Sequence, residues 1–207
     1  MSASPTSRTA SRTASSTASS TALPRPSREE LAAAYGKRIP DIGGPGIKVL
    51  LVGINPSLWS GWSGHHFARP GNRLWRTLHE AGFTPTVLLP SDTEAIAAAG
   101  LGITNLVPGA TARADELDRE QVAAGVQPLR TLTRAWRPRF VAFLGISTYR
   151  IAFSDPRAAV GPVDDVFEGA EAWVLPNPSG LNARYQQPAL TAAYARLAAR
   201  LSDPGPD

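Results

Sequence analysis

Two apolar runs that each end in the same polar turn constrain the fold of this chain most. Residues 48–52 run into Asn55-Pro56-Ser57, and residues 173–176 run into Asn177-Pro178-Ser179. A third run, residues 140–144, is wholly apolar. Strands this apolar are buried on both faces, and the segments between them have helical patterns. We therefore expect an α/β fold with three α/β/α layers and a mostly parallel central sheet.

In such a sheet, the loops that leave the carboxyl ends of the strands line the ligand crevice. The two Asn-Pro-Ser turns are thus expected to face each other across one site. Pro56 fixes its own φ and biases Asn55 away from the helical region, so the amide is held at a set angle. An amide donates and accepts, and it can orient a water without being a strong base. The alternative is an Asx turn in which Asn55 binds its own backbone.

Composition excludes several kinds of site. The chain of 207 residues has no cysteine, so disulfides, thiolate metal sites and cysteine nucleophiles are excluded. A cytoplasmic location fits this composition. No apolar run reaches the roughly 18 residues of a membrane span. The net charge of +4 comes mostly from Arg8, Arg12 and Arg25, because the rest of the chain holds 18 basic and 17 acidic residues. A DNA-binding surface would therefore need local arginine clustering.

The chain is expected to form one folded domain with two tails. Residues 1–27 are rich in Ser, Thr, Ala and Arg and should be disordered, residues 28–202 should form the domain, and residues 203–207 should be a flexible end. The first tail has no apolar core of a secretory signal. It resembles an organellar transit peptide in composition, and the alternative is a plain flexible tail.

Propensities and capping signals predict the remaining elements. Ser27 and Glu30 form a capping-box pattern before a short helix, and Asn72 is the expected cap of another. A long helix at 115–135 should break or kink at Gly125 or Pro128. Further helices are expected at 73–81, 92–99, 146–153 and 187–201, strands at 103–107 and 173–175, a loop at 53–71, and a loop or weak hairpin at 155–170.

The second Asn-Pro-Ser turn continues into a loop with candidate DNA contacts. Leu181 stands in polar surroundings and could enter a duplex as a wedge, while Arg184 could meet guanine or phosphate. The alternative is that Leu181 packs beneath its own loop.

Five motifs in order resemble one family, the mismatch-specific uracil/thymine-DNA glycosylases, which are the bacterial G·U-mismatch branch of the uracil-DNA glycosylase superfamily. They span roughly residues 41–200 and lie at 52–56, 67–75, 81–84, 102–107 and 175–181. The resemblance implies a uracil-DNA glycosylase-like fold and base flipping in double-stranded DNA that carries a mismatched or damaged pyrimidine. It also implies a monomer without a cofactor or a metal, located in the bacterial cytoplasm at the nucleoid.

Residue roles follow from the same resemblance. Asn55 matches the residue that positions the hydrolytic water, and Phe67 matches the aromatic residue that stacks on the flipped base. Ser60 matches a small residue near the C5 position of the base, where it would affect tolerance of a thymine methyl. The resemblance places the base pocket at Gly53, Ile54, Pro56, Ser60, Phe67, Asn105 and Asn177, and the intercalation and opposite-base contacts at Ser179, Gly180, Leu181 and Arg184.

Three positions depart from the family pattern. Ser57 stands where the pattern has Gly, and Asn105 stands where some members have Lys. The arginine expected two residues after the wedge is displaced, because Ala183 precedes Arg184. No lysine lies in the matched motifs, so a Schiff base is not expected and the enzyme should be monofunctional.

Other polar groups leave alternatives open. His65 and His66 could bind a metal, form a pocket wall or contact phosphate, or lie in a solvated loop. The acidic loop with Asp164, Asp165 and Glu168 is better explained by solvation than by a divalent ion. Trp59 and Trp62 could line the base pocket or pack on the core.

Two competing functions remain at this point: a non-catalytic DNA- or nucleobase-binding module on the same fold, and a small-molecule hydrolase that uses the loop with His65 and His66.

Overall fold

A five-stranded sheet forms the centre of the protein, as described by a computed structural model for residues 25–203. The tail at 1–27 and the end at 203–207 therefore lie largely outside the described residues. The spatial strand order is β2-β1-β3-β5-β4, with β4 antiparallel and the other pairs parallel. The strands are β1 (Val49–Gly53), β2 (Leu101–Asn105), β3 (Phe140–Leu144), β4 (Gly161–Phe167) and β5 (Ala170–Leu175).

Helices cover both faces of the sheet. They are α1 (Arg28–Ala32), α2 (Leu58–Ser63), α3 (Leu74–Glu80), α4 (Thr93–Ala98), α5 (Arg119–Ala124), α6 (Val126–Trp136), α7 (Ile146–Ala152) and α8 (Gln187–Ser202). Alternate residues of each strand point to opposite faces. Leu51 packs with α3, α4 and α8 in one apolar core, whereas Leu50 packs with α5, α6 and α7 in the other. The predicted three-layer α/β/α architecture is confirmed.

The predicted loop at 53–71 contains a helix that sequence patterns missed. Ser57 caps α2, since its side chain accepts from the Ser60 amide, and Gly64 ends the helix with a φ of 76°. Gly61 packs so closely that an added Cβ would stand 3.0 Å from the carbonyl oxygen of Ala34. The helix thus depends on a cap and on tertiary packing, because its Ser- and Gly-rich sequence has weak helix propensity.

Other boundaries shift for local reasons. The strand predicted at 103–107 begins two residues earlier, at Leu101, because glycine at position 102 weakens the strand pattern in the sequence. An added Cβ on Gly102 would lie 2.5 Å from the Ile47 side chain. The helix predicted at 115–135 divides into a 3₁₀ turn, α5 and α6. The division falls at Gly125, where an added Cβ would stand 2.2 Å from the carbonyl oxygen of Leu106. Pro128 lies in the first turn of α6, where its missing N–H costs little.

The capping box predicted at α1 is confirmed, since Ser27 and Glu30 form it reciprocally. The cap predicted at Asn72 is wrong by one residue, because Arg73 is the N-cap of α3 and no side chain caps that helix. The Oδ1 atom of Asn72 accepts from the amide of Leu74, the first residue of the helix, at 2.9 Å. Within the stretch 155–170, predicted as a loop or weak hairpin, residues 161–167 form β4. This strand pairs antiparallel with β5, which begins at Ala170 rather than at the predicted residue 173.

Candidate active site

A cleft of about 440 Å³ opens at the carboxyl edge of the sheet. Its walls come from the loops after β1, β2 and β5 and from the end of β3, as expected for an α/β sheet. The cleft is lined by these predicted site residues: Gly53, Ile54, Asn55, Pro56, Ser60, Phe67, Asn105, Asn177, Ser179 and Leu181. Gly180 instead lines a neighbouring groove, and Arg184 lines a third one.

The side chain of Asn55 is held at its nitrogen end. Its Nδ2 donates to Thr111 Oγ1 at 2.7 Å, with the carbonyl oxygens of Pro56 at 3.1 Å and Gly109 at 3.2 Å beside it. The Thr111 hydroxyl donates to the carbonyl of Arg113 at 2.8 Å, so it can only accept from Asn55. All these groups are acceptors, which sets the orientation of the amide. The Oδ1 atom is thereby left without a hydrogen bond among the described residues, and Asn55 lines the cleft.

A buried histidine orients a second amide in the cleft. His66 is 2% exposed, and its Nε2 lies 2.9 Å from the carbonyl oxygen of Pro40. Since that oxygen only accepts, Nε2 carries the proton and Nδ1 accepts from Asn105 Nδ2 at 3.3 Å. Burial lowers the pKa of His66, which favours this neutral form. The Oδ1 atom of Asn105 consequently lies beside Gly53, where an added Cβ would be 2.5 Å from it.

Phe67 lines the cleft beside β1. Its backbone φ is 51°, an uncommon value for a bulky residue. Trp75 on α3 binds the Phe67 carbonyl through Nε1 at 3.4 Å. An added Cβ on Gly53 would lie 3.3 Å from the Phe67 ring, so glycine at position 53 lets the ring lie against β1.

The second Asn-Pro-Ser turn forms the opposite wall. Asn177 Oδ1 accepts from the Ser179 amide at 2.9 Å, and the Asn177 carbonyl accepts from Asn182 Nδ2 at 2.9 Å. Leu181 stands at the apex and is 77% exposed, so the alternative that it packs under its own loop is excluded. We call residues 178–185 the wedge loop. The convergence of Asn55 and Asn177 on one cleft confirms the geometry expected from strand ends.

Pattern reasoning overlooked Arg73, Thr111 and Asp115. Arg73 binds three carbonyls of the wedge loop. A cation at the start of a helix opposes the helix dipole, and this unfavourable placement was the signal available in the sequence. Asp115 lines the cleft mouth, where its hydrogen bonds with Arg113 lower its pKa. That carboxylate is therefore ionised and already partnered.

The structure also locates the tryptophan, histidine and acidic residues whose roles the sequence left open. Trp59 and Trp62 pack edge to face, with ring centroids 5.9 Å apart, and neither lines the cleft. His66 forms part of the pocket wall. Glu168 binds Arg130 and Arg134 at 2.6 and 2.8 Å. Between residues 25 and 203, no three His, Asp or Glu side chains are grouped as a metal site, and no helix has the length and apolarity to cross a bilayer.

Residues 40–199 match the family model of the uracil DNA glycosylase superfamily. Because the match covers well over half of the chain, the protein belongs to this superfamily, whose members act on DNA. The fold is also similar to the solution NMR structure of a proposed uracil DNA glycosylase from Methanosarcina acetivorans. That likeness has a TM-score of 0.52 at 17% sequence identity, and it covers 79% of this chain and 98% of the other.

Proposed function

We propose that the protein is a monofunctional DNA glycosylase that hydrolyses the N-glycosidic bond of uracil in G·U-type mismatches of double-stranded DNA and so initiates base excision repair. Thymine and etheno-adducted pyrimidines are the further substrates of this proposal. One observation carries it. The amide of Asn55 is held by acceptors at Nδ2 and presents a free Oδ1 to a cleft of nucleoside size, in a chain of the uracil DNA glycosylase superfamily.

The base enters the cleft by leaving the duplex. Extrusion costs a few kcal/mol and costs least at a mismatch, which supports a preference for mispaired uracil. The Phe67 ring offers a stacking face for the extruded pyrimidine. Leu181, exposed at the apex of the wedge loop, fills the gap left in the duplex.

The polar groups of the cleft select the base. Asn105 presents Oδ1, an acceptor, because its Nδ2 is engaged by His66. An acceptor complements the N3–H of uracil or thymine, whereas cytosine has no hydrogen at N3. The amide of Phe67 donates no hydrogen bond to another described residue, so it is available to a base oxygen. Ser60 is 2% exposed and lines the cleft, and in this proposal it contacts the C5 edge of the base.

Hydrolysis follows from this arrangement. The C1′–N1 bond breaks with its electron pair on the base, which leaves as an anion, and backbone N–H groups stabilise the developing charge. The water held by Asn55 Oδ1 then bonds to C1′ and gives its proton to solvent. An amide is a weak base, so turnover is slow and favours good leaving groups.

The lysines support a monofunctional enzyme. The chain has two, Lys37 and Lys48, and neither lines the cleft. A Schiff base with C1′ therefore has no lysine amine in the site. Arg184 is exposed beside a different groove, so the opposite guanine is contacted by the backbone near Gly180 in this proposal.

The test is a single-turnover assay of abasic-site formation on G·U, A·U and G·T duplexes and on single-stranded uracil DNA. The expected order places G·U first. Equal rates on G·U and A·U would remove the mismatch preference and leave a general uracil glycosylase. DNA binding without cleavage of any substrate would instead favour a non-catalytic binding module.

A further inference from the structure

Arg73 binds the wedge loop at both sides of its apex. The guanidinium donates to the carbonyl of Tyr185 at 2.7 Å through Nη1, and to those of Ser179 at 2.7 Å and Asn182 at 3.2 Å through Nη2. The Arg73 amide donates to the Pro178 carbonyl at 3.0 Å. Four carbonyls of one eight-residue loop are thus held by one residue at the start of α3.

The hydrogen bonds of the Arg73 side chain stabilise the wedge loop and not helix α3. No carboxylate pairs with Arg73 in the described part of the chain. The groups that accept hydrogen bonds from the Arg73 side chain are all backbone carbonyls. A cation at a helix start opposes the helix dipole, so the position costs α3 some stability. Charge-assisted hydrogen bonds are the strong ones, and a planar guanidinium can bind several carbonyls at fixed angles.

Two further contacts seat the same loop. Gly180 lies against the carbonyl of Gly71, where an added Cβ would be 2.5 Å from the oxygen. The buried hydroxyl of Tyr194 donates to the Pro176 carbonyl at 3.1 Å, just before the loop. The loop is therefore anchored along its length, while its one large apolar side chain, Leu181, is 77% exposed.

Helix α3 also holds the other half of the site. Trp75, two residues after Arg73, binds the carbonyl of Phe67. The start of α3 consequently holds both Phe67 and the wedge loop in fixed positions relative to each other. A rigid frame reduces the ordering cost that binding would otherwise incur.

We propose that Arg73 is a positioning residue that presets the wedge loop, so that Leu181 is already in place to enter the duplex when the base leaves. This inference rests on the proposed function, because it assigns Arg73 a role that acts through Leu181. Its consequence is specific to duplex DNA. Single-stranded DNA has no opposite strand and no duplex gap for Leu181 to fill, so excision from it needs no preset wedge.

The experiment is a double-mutant cycle with Arg73→Lys and Leu181→Ala, measured as single-turnover excision from G·U duplex and from single-stranded uracil DNA. Lysine keeps the charge but cannot bind the same carbonyls as a fork. We expect Arg73→Lys to slow duplex excision about tenfold and single-strand excision less than about twofold, and to add almost nothing in the Leu181→Ala background.

Arg76→Lys is the matched control. Arg76 lies one turn along α3, and its side chain pairs with Glu80 rather than with the wedge loop. Arg76→Lys should leave the rates of excision from both DNA substrates unchanged. Thermal melting of every variant separates loss of folding from loss of loop order. Hydrogen exchange at the amides of residues 181 and 182 should be faster in the variants that carry Arg73→Lys and unchanged in Arg76→Lys.

The outcomes separate the two proposals. The role of Arg73 would be overturned if the wild-type protein excises uracil and Arg73→Lys lowers the rate equally on duplex and single-stranded DNA. Additive rate losses in the double-mutant cycle would overturn it as well. Absence of excision by the wild-type protein would overturn the proposed function, and the role in base extrusion with it. Unchanged hydrogen exchange in Arg73→Lys would show that the loop does not need this clamp.

Discussion

The Nδ2 atom of Asn55 lies 2.7 Å from the hydroxyl oxygen of Thr111, a residue 56 positions further along the chain. That hydroxyl donates onward to the Arg113 carbonyl, so it accepts from Asn55. The pair decides which end of the Asn55 amide faces the cleft. In the proposed mechanism, it therefore decides whether the water meets an acceptor or a donor.

Replacing Thr111 with Val should slow uracil excision. Valine keeps the shape but removes the acceptor, and one lost hydrogen bond of this kind is worth about 1 kcal/mol, or a rate lower by roughly fivefold, if the amide becomes free to turn. Thr111→Ser should retain most of the activity. Single-turnover rates of the two variants on a G·U duplex provide the measurement. Equal rates for valine and serine would contradict the role assigned to the hydroxyl.

Stability should decrease as the pH falls below the ordinary pKa of histidine, and His66 is the cause. Burial is the largest influence and lowers the pKa of His66 below 6.5, although the Pro40 carbonyl and Asp41 oppose it and His65 adds to it. The unfolded chain therefore takes up the proton first. This contribution to stability is complete above a pH of about 6.5 and is lost progressively below it.

Urea unfolding of the wild type and of His66→Gln at several pH values between about 7.5 and about 5 measures this contribution. The variant should show a weaker loss toward low pH, because glutamine does not titrate. Parallel curves for the two proteins would assign the loss to other groups.

Ser57 should stabilise α2 as its N-cap. Its Oγ accepts from the Ser60 amide at 3.2 Å. Ser57→Ala is expected to cost about 1 kcal/mol of unfolding free energy, and Ser57→Gly only a few tenths. Denaturant titration measures both, and Ser63→Ala at the other end of α2 is the control. No difference between alanine and glycine would mean that this cap is not what stabilises the helix.

The central part of the fold could be predicted because its strands are apolar on both faces. The runs at 140–144 and 173–175 leave no polar face to solvent, so they had to lie inside a layered sheet. The meeting of Asn55 and Asn177 followed from the same sheet, since parallel strands end at one edge. Elements of this kind are specified by local composition together with one topological rule.

What could not be predicted depends on contacts between distant segments. The helix at 58–63 owes its existence to packing of Gly61 on Ala34 and Ala110, which no periodicity reveals. The partner of Asn55 at Thr111 and the acceptors of Arg73 lie 56 and more than 100 residues away. The displaced Arg184 is exposed and lines a groove that Leu181 also lines, so its contact with DNA stays a prediction.

The central claim is that Asn55 presents an acceptor to the hydrolytic water, and substitution at this one position tests it most directly. Single-turnover excision from a G·U duplex should be compared for the wild type, Asn55→Ala and Asn55→Asp, with Gln127→Ala, an exposed amide on α6, as the control. We predict that Asn55→Ala loses on the order of a hundredfold or more in rate, as for removal of a group that assists proton transfer or positions water. Asn55→Asp, which keeps an oxygen toward the cleft, should retain measurable excision. Wild-type rates for Asn55→Ala would contradict the account.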